Sequence, residues 1–375
     1  MLRQRVYGVA AVVLAIGFAA ASAARADEND SWVGRAVLAK RPDAALKVGQ
    51  KLGARAAQLP QPMRVAQEQG DWLWIESAGT AGWLKKADVT PVDQAERFFT
   101  DLLQSEPENA WAYNLRGLVR EQQGAFEAAI EDFTRAIRYD AQMASAYNNR
   151  GIARDRRGDP KRALEDYDAA IKLDPAYAAA YNNRGLANAN LGELKAAVAD
   201  FDEAIRLDPK FAAALNNRGI VRDQTGDMQR AAQDFAAAIR LDAKFAEAHG
   251  NLGNVWRRQG KYEQAIEEFN QAVKFAPQDG AGYNNRAWMW ATCPDEKFCD
   301  GKAAVQSATK ACELAHWKNP DWLDTLAASY ARAGDFKAAV KYQTQAMDLA
   351  PEAQQADMKT RLELYRQGKP FSESH

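Results

Sequence analysis

Asparagine is the residue whose chemistry and spacing stand out in this sequence of 375 residues. A side-chain amide offers both a hydrogen-bond donor and an acceptor. Two lines of asparagines recur in steps of 34 residues, which we call the repeat period: Asn148, Asn182, Asn216 and Asn284, and then Asn149, Asn183, Asn217, Asn251 and Asn285. A ladder of such amides can hold the backbone of an extended peptide regardless of its side chains. It can equally join neighbouring helices through hydrogen bonds between asparagines, and the sequence leaves both interpretations open.

Arginine and aspartate occupy a second set of repeated positions. In four places an aspartate stands 16 residues after an arginine. The pairs are Arg116 and Asp132, Arg150 and Asp166, Arg184 and Asp200, and Arg218 and Asp234. Where Leu252 replaces the arginine, the acid is Glu268. If the two residues of a pair lie on two antiparallel helices, this spacing brings their side chains together. We therefore predict buried or half-buried ion pairs that fix helix register, in preference to a ligand site.

The residues that could catalyse a reaction form no catalytic pattern. The sequence lacks the phosphate-binding loop, the serine hydrolase elbow and the zinc protease motif. Three histidines and three cysteines are too few for a site built from several such ligands, and we expect His249 to be a packing residue. Lysine and arginine number 49 against 50 acids, which leaves no basic excess for nucleic acid. We therefore predict no enzymatic activity, no metal, no cofactor and no nucleic-acid partner.

The three cysteines lie close together in the sequence. Cys293 and Cys299 have five residues between them in one turn, so their Cα atoms can approach to roughly 5–6 Å. Cys312 lies along the following helix, on the order of 14 Å from its start, which is beyond the reach of a disulfide. For an exported chain this predicts a Cys293–Cys299 disulfide and a free Cys312. Three unpaired thiols are the alternative.

The elements that must position these residues share the same repeat period. Glycine recurs at 117, 151, 185, 219 and 253, a second glycine follows seven residues after each, and alanine follows five residues after that. The second glycine can end a helix with a positive φ, and the alanine lets the next helix pack closely. This period and pattern resemble the tetratricopeptide repeat (TPR), a helix–turn–helix unit.

The TPR resemblance implies a mainly α fold, an α-solenoid of about seven repeats over residues 110–353. We expect a capping helix at residues 93–109, and a second capping helix with a loose tail at residues 354–375. In TPR proteins the asparagine positions lie on the first helix of each repeat, which lines a concave groove. The resemblance therefore implies a protein or peptide partner in that groove.

Residues 27–92 differ in composition from the repeats, with short β-rich runs between turn residues. The predicted strands are Val33–Lys40, Ala45–Val48, Met63–Gln67, Asp71–Ser77 and Thr80–Leu84. The segments Gly70-Asp71-Trp72 and Gly79-Thr80-Ala81-Gly82-Trp83-Leu84 resemble the bacterial SH3-like domain. That resemblance implies a small all-β barrel that binds peptides, cell-wall material or a neighbouring domain. In such a barrel Trp72, Trp74 and Trp83 form an aromatic docking surface, or at least two of them pack in the core.

The first 26 residues have the order of a secretory signal. A positive start is followed by the uncharged stretch Val6–Ala24 and by Ala24-Arg25-Ala26, a small-x-small cleavage site. We predict cleavage after Ala26 and a periplasmic or secreted protein without a membrane span. The alternative is an uncleaved anchor, because 19 uncharged residues can nearly cross a bilayer.

Together these patterns predict a non-enzymatic, exported TPR scaffold that binds a protein or an extended peptide, in cell-envelope assembly. The alternative function is binding of a cell-wall ligand, peptidoglycan, through the SH3-like domain, with the solenoid as a spacer.

Overall fold

The computed structural model describes residues 31–48, 51–56, 59, 61–77 and 80–373 of the chain. The predicted signal peptide, residues 1–26, lies outside the described residues. The described residues divide into an N-terminal unit, up to residue 207, and a C-terminal unit, from residue 208. Sixteen α-helices and one sheet make up their regular structure, so the prediction of a mainly α fold is confirmed. In this part of the chain no helix is long and apolar enough to cross a membrane.

A seven-stranded antiparallel sheet begins the N-terminal unit. Its strands are β1 (Ala36–Ala39), β2 (Ala45–Val48), β3 (Lys51–Arg55), β4 (Met63–Gln69), β5 (Trp72–Ser77), β6 (Thr80–Lys85) and β7 (Val89–Pro91). Their order is β3-β2-β6-β5-β4-β1-β7, and within the described residues β3 and β7 are the edges. The prediction of a small β domain before the helices is therefore confirmed, whereas the sheet is open in the described residues and its SH3-like barrel character stays a prediction. β7 pairs with β1 and runs directly into the first helix.

Two of the seven strands escape prediction from the sequence. The β3 sequence, Lys-Leu-Gly-Ala-Arg, has none of the β-branched or aromatic residues that indicate a strand. The β7 strand has only three residues and ends at a proline. Both strands form because β2 and β1 offer them an edge to pair with.

One face of the sheet packs into a core. Leu73 and Ile75 of β5 are fully buried, and they pack with Val37, Met63 and Leu84. Because side chains alternate between the two faces of a strand, the tryptophans of β5 and β6 lie on the opposite face.

Helices account for the remaining regular structure of both units. In the N-terminal unit they are α1 (Val92–Ser105), α2 (Ala110–Gln122), α3 (Phe126–Tyr139), α4 (Ala144–Arg156), α5 (Pro160–Leu173), α6 (Ala178–Asn190) and α7 (Leu194–Leu207). In the C-terminal unit they are α8 (Ala212–Gln224), α9 (Met228–Leu241), α10 (Ala246–Arg258), α11 (Tyr262–Phe275), α12 (Gly280–Thr292), α13 (Gly301–Leu314), α14 (Pro320–Arg332), α15 (Phe336–Leu349) and α16 (Gln355–Arg366). From α2 onward, each even-numbered helix up to α14 forms a hairpin with the helix that follows it.

Two glycines in each regular repeat explain the spacing of the helix pairs. In the second repeat, a Cβ atom at Gly151 would lie 2.6 Å from the Tyr167 ring, so only glycine lets α4 and α5 approach this closely. Gly158 ends the turn after α4 with a φ of 88°, a conformation that other residues rarely adopt. The two glycines that recur with the repeat period therefore correspond to a close helix contact and to a turn in each regular repeat.

Candidate functional site

The asparagine ladder joins the first helices of neighbouring repeats. In the N-terminal unit, Asn149 Nδ2 donates to Asn114 Oδ1 at 3.1 Å, and Asn183 Nδ2 donates to Asn148 Oδ1 at 2.9 Å. In the C-terminal unit, Asn251 Nδ2 donates to Asn216 Oδ1 at 3.0 Å. In these three places an amide of the second line thus binds an amide of the first line in the preceding repeat. These contacts are those of the inter-helix interpretation, and peptide binding by the ladder stays a prediction.

The ladder amides differ in their exposure to solvent. Five are buried: Asn148, Asn182, Asn183, Asn216 and Asn217. Four are half-buried: Asn149, Asn251, Asn284 and Asn285. The Asn284 Oδ1 atom is buried without a hydrogen-bond partner among the described residues, because the next repeat has no asparagine at the donating position. Asn114 also belongs to the first line, but Leu115 follows it and breaks the sequence pattern.

A cavity of about 100 Å³ lies between α4 and α6 in the N-terminal unit. We call it the N-terminal cavity, and its lining residues are Ile152, Asp155, Arg156, Tyr167, Asn183, Leu186 and Asn190. Apolar side chains, one ladder amide and two charged residues therefore contribute to the same lining. Such a mixed lining suits a peptide side chain with an apolar stem and a polar end.

Charged residues near the ends of the first helices pair between neighbouring repeats. In the N-terminal unit, Arg156 Nη1 lies 2.5 Å from Glu121 Oε1. In the C-terminal unit, Arg258 makes the equivalent pair with Asp223. An acid near the end of one first helix is thus neutralised by an arginine at the end of the next.

Asp155 interrupts this charge pattern. It stands at the repeat position of Glu121, but the arginine position of the next repeat holds Asn190. No hydrogen bond or ion pair reaches the Asp155 carboxylate from the described residues, and burial raises its pKa. The N-terminal cavity therefore contains an acid that forms no ion pair with any described residue.

The predicted arginine–aspartate pairs are confirmed. The shortest N–O distances are 2.7 Å for Arg116–Asp132 and Arg150–Asp166, and 2.6 Å for Arg184–Asp200 and Arg218–Asp234. A further donor one helical turn later binds the same aspartates; it is Arg120, Arg154, Asn188 or Arg222. The sequence could have revealed this second donor, because residues four apart lie on the same helix face.

His249 takes the place of the missing arginine in the fifth repeat. It is buried, but its Nδ1 lies 2.6 Å from Glu268 Oε2 and its Nε2 lies 3.2 Å from the Ala243 carbonyl oxygen. Burial opposes a charge on the ring, but the bonds to Glu268 and Ala243 outweigh burial and raise the pKa of His249. His249 is therefore a buried packing residue, as predicted, and it also forms polar contacts that the prediction did not include. The sequence contains a sign of this contact. Glu268 stands at the acidic position of its repeat, although Leu252 replaces the arginine that pairs with this position in other repeats.

The three tryptophans of the sheet form a cluster on its outer face. Trp72, Trp74 and Trp83 are each half-buried on the outer face, so the interpretation as core residues is wrong. The Trp74 and Trp83 rings meet edge to face, with centroids 5.3 Å apart. Lys47 Nζ and Lys85 Nζ lie 4.8 Å and 5.5 Å from the Trp72 ring centroid. The cluster therefore combines aromatic surface with positive charge.

The predicted disulfide is not formed in the structure, where all three cysteines are free thiols. Cys293 packs into a core with Tyr262 and Phe269, and Cys299 Sγ donates to the Cys293 carbonyl oxygen at 3.1 Å. One thiol thus faces the core, and the other is directed at a backbone atom and not at the first sulfur. Burial raises the pKa of Cys293 to about 11 and that of Cys312 to about 12.

Residues 369–373 are held against α12, so the expectation of a loose tail is wrong for them. The chain turns at Gly368 with a φ of 70°. The Glu373 backbone N–H donates to the Thr292 carbonyl oxygen at 2.9 Å, and the Ser372 hydroxyl donates to the same oxygen at 3.3 Å. Thr292 is the last residue of α12, where a carbonyl oxygen lacks a partner within its helix.

The Glu373 carboxylate is bound by two residues of the first helices. Trp288 Nε1 donates to Oε1 at 2.8 Å, and Arg257 forms an ion pair with Oε2. Trp288 stands three repeat periods after Leu186, and Arg257 stands three after Asp155. The tail therefore fills, in the C-terminal unit, the repeat positions that line the N-terminal cavity. Sequence analysis missed this contact because the tail carries no repeat pattern.

Metal binding finds no support in the geometry. No group of three or more His, Cys, Asp or Glu side chains is placed to hold a metal ion in the described part of the chain.

Comparison with protein families identifies the repeats. A family model described as "Tetratricopeptide repeat" matches residues 92–147, 148–212, 190–244 and 216–280. A second model with the same description matches residues 323–352. Together they cover more than half of the sequence. No curated protein matches the chain.

Solved structures share the fold of the chain at low sequence identity. The crystal structure of the APC/C hetero-tetramer Cut9-Hcn1 has a TM-score of 0.57 and 20% identity, over 64% of this chain and 46% of that one. The crystal structure of yeast Tom70 has a TM-score of 0.51 and 19% identity, over 73% of this chain and 58% of that one. The match thus spans about half the length of these structures, and at this identity it shows the fold alone.

Proposed function

The chain belongs to the tetratricopeptide repeat family, and from this premise we propose that it is a non-enzymatic scaffold that binds a protein or an extended peptide. TPR proteins generally act in this way, by presenting the first helices of their repeats to a partner. We also propose that the chain is exported and works in cell-envelope assembly. The support for export is the signal-like order of residues 1–26.

The observation that carries the scaffold proposal is the N-terminal cavity. It lies between the first helices of two repeats, where Leu186 contributes apolar surface and Asn183 contributes a ladder amide. An extended peptide needs both kinds of contact, because amides can bind its backbone and apolar walls can bind its side chains.

A cavity-filling variant tests this proposal. Leu186→Trp places in α6 the residue that the sixth repeat has at the equivalent position, so the fold is expected to tolerate it. Leu191→Trp makes the same change at a side chain that is 40% exposed and lies outside the cavity. We expect envelope proteins recovered by the unmodified chain to be lost with Leu186→Trp and kept with Leu191→Trp. Recovery of the same proteins with both variants would contradict the proposal.

Cell-wall binding through the sheet is a second candidate function. The half-buried tryptophan cluster of β5 and β6 supports it, because aromatic rings with adjacent lysines suit a sugar chain that carries carboxylates. The proposed SH3-like character of the sheet belongs to the same candidate.

Sedimentation with purified peptidoglycan tests the second candidate. We expect the full chain to sediment and the double variant Trp72→Ala, Trp83→Ala to remain in solution. Trp317→Ala is the matched control, because this tryptophan is 36% exposed in the C-terminal unit. If the double variant sediments as the unmodified chain does, the sheet is not the wall-binding site.

A further inference from the structure

The two units contain equivalent sites that differ in occupancy. In the N-terminal unit, Asp155, Leu186 and Asn190 line a cavity without an occupant from the described part of the chain. The equivalent residues of the C-terminal unit, three repeat periods later, are Arg257, Trp288 and Thr292. All three contact the tail through Glu373.

The tail shows how an extended segment occupies such a site. Its backbone bonds to the last carbonyl oxygen of a first helix, at Thr292. Its acidic side chain reaches back to the preceding first helix and meets Arg257. Phe371 adds an aromatic contact, with its ring centroid 6.0 Å from that of Trp288. An occupant of this kind therefore supplies one backbone bond and one side-chain charge opposite to that of the site.

The N-terminal cavity has the opposite charge requirement. Asp155 replaces Arg257 at the equivalent position, and its carboxylate has no partner among the described residues. Asp155 is the penultimate residue of α4, so the negative end of the helix dipole also favours a cation there. The neighbouring Arg156 already forms an ion pair with Glu121, which weakens its repulsion of a second cation.

We propose that the N-terminal cavity binds the basic side chain, lysine or arginine, of an extended partner segment, with Asp155 as its counter-charge. The apolar stem of that side chain packs against Ile152 and Leu186, which line the cavity. The inference rests on the proposed function, because it names the chemistry of the segment that the scaffold binds.

Selection from a library of random nine-residue peptides, displayed on phage, tests the inference with the full chain as bait. We expect selected peptides to share a lysine or arginine at one fixed position. In fluorescence anisotropy, replacing that residue with alanine is expected to weaken binding roughly tenfold, as loss of a partly desolvated charge pair does. Asp155→Asn is expected to cause the same loss, with no further loss when both changes are combined.

Three more variants sharpen the test. Asn190→Arg places an arginine in the position relative to Asp155 that Arg156 has relative to Glu121. The new arginine is expected to pair with Asp155 and so to block binding of the basic peptides. Gln224→Arg makes the change at the equivalent position of the next repeat and is the matched control. Asp155→Arg introduces the residue of the C-terminal site and is expected to select acidic peptides instead. Thermal unfolding of each variant shows that it is folded.

The outcomes separate the inference from the proposed function. Peptides that bind without a basic preference, or that bind Asp155→Asn as tightly as the unmodified chain, would overturn the inference and leave the scaffold function standing. If the unmodified chain selects no peptide, both are overturned.

Discussion

At the scale of single residues, both charged groups of the Arg184–Asp200 ion pair have more than one partner. Asp200 accepts hydrogen bonds from Arg184 at 2.6 Å and from Asn188 at 2.9 Å. Arg184 also bonds to Asp168 of the preceding repeat at 2.6 Å. Burial opposes the charge of Arg184, but the bonds to Asp200 and Asp168 outweigh burial and raise its pKa. Such groups hold helices in register because a shift of either helix would leave a charge unpaired.

The asparagine ladder gives a first prediction at this scale. Asn183→Ala is expected to lower the free energy of unfolding by about 1–3 kcal/mol, because it leaves the buried Asn148 Oδ1 without its donor. Asn190→Ala, at an exposed amide near the end of the same helix, is the matched control and is expected to cost much less. Urea denaturation followed by circular dichroism measures both. Equal effects of the two variants would show that the ladder does not stabilise the helix contacts.

His249 gives a second prediction, on pH. Its pKa is raised above the ordinary 6.5, so the stability from its charged form is complete below pH 6.5 and is lost as the pH rises through the raised pKa. Glu247 acts in the same direction, because burial raises its pKa from 4.5 to about 7 and stability is lost across that range. We therefore expect the Tm of the chain to fall between mildly acidic and mildly basic pH.

A comparison of two chains separates the two groups. His249→Tyr introduces the tyrosine that other repeats have at this position. In this variant the fall in Tm above pH 6.5 is expected to shrink, while the fall in Tm due to Glu247 persists. Scanning calorimetry at a series of pH values checks this result. Parallel Tm curves for the two chains would exclude His249 as the source.

At the scale of elements, the distance between the two helices of a pair is set by one glycine. In α10, a Cβ atom at Gly253 would lie 2.7 Å from the Phe269 ring, whereas the nearest atom to one at Gly250 would be 3.9 Å away. The two glycines lie in one helix, so they share its intrinsic cost in conformational entropy. They differ only in what their missing side chain would meet.

These two glycines give a matched pair of predictions. Gly253→Ala is expected to destabilise the chain by about 1–3 kcal/mol, because the added methyl group forces α10 and α11 apart. Gly250→Ala is expected to stabilise it by up to about 1 kcal/mol, because alanine favours the helix and fits the available space. Thermal unfolding of the two variants measures the difference. Similar shifts in the same direction would mean that the Phe269 contact does not limit the approach of the helices.

At the scale of the whole molecule, the proposed location of the chain determines the redox conditions to which its cysteines are exposed. An exported chain enters an oxidising compartment, where a disulfide between Cys293 and Cys299 can persist. The structure has these residues as free thiols, with Cys299 Sγ bonded to a backbone carbonyl oxygen. The disulfide therefore stays a prediction that depends on export.

Export itself is tested on the chain recovered from cells. We expect the mature protein to begin at Asp27 and to be found in the periplasmic or secreted fraction. Mass spectrometry of the unreduced protein gives its N-terminus and shows whether a peptide links Cys293 to Cys299. A full-length chain in the cytoplasmic fraction would contradict the export proposal.

The sequence by itself determined the features that recur at a fixed spacing. The glycine, alanine and arginine–aspartate positions recur with the repeat period, and they predicted the helix pairs and their buried ion pairs. Such contacts join residues within one repeat, so the spacing along the chain fixes their spacing in space.

Contacts that do not recur with the repeat period were decided only by the tertiary structure. The open edge at β3, the outward tryptophans and the tail against α12 each depend on which surface a distant segment finds available. That Asp155 has no ion pair among the described residues also required the structure, because a missing partner is recognised only when the neighbouring side chains have been placed. Local periodicity thus determined the repeats, and the packing of segments far apart in the chain determined the sites.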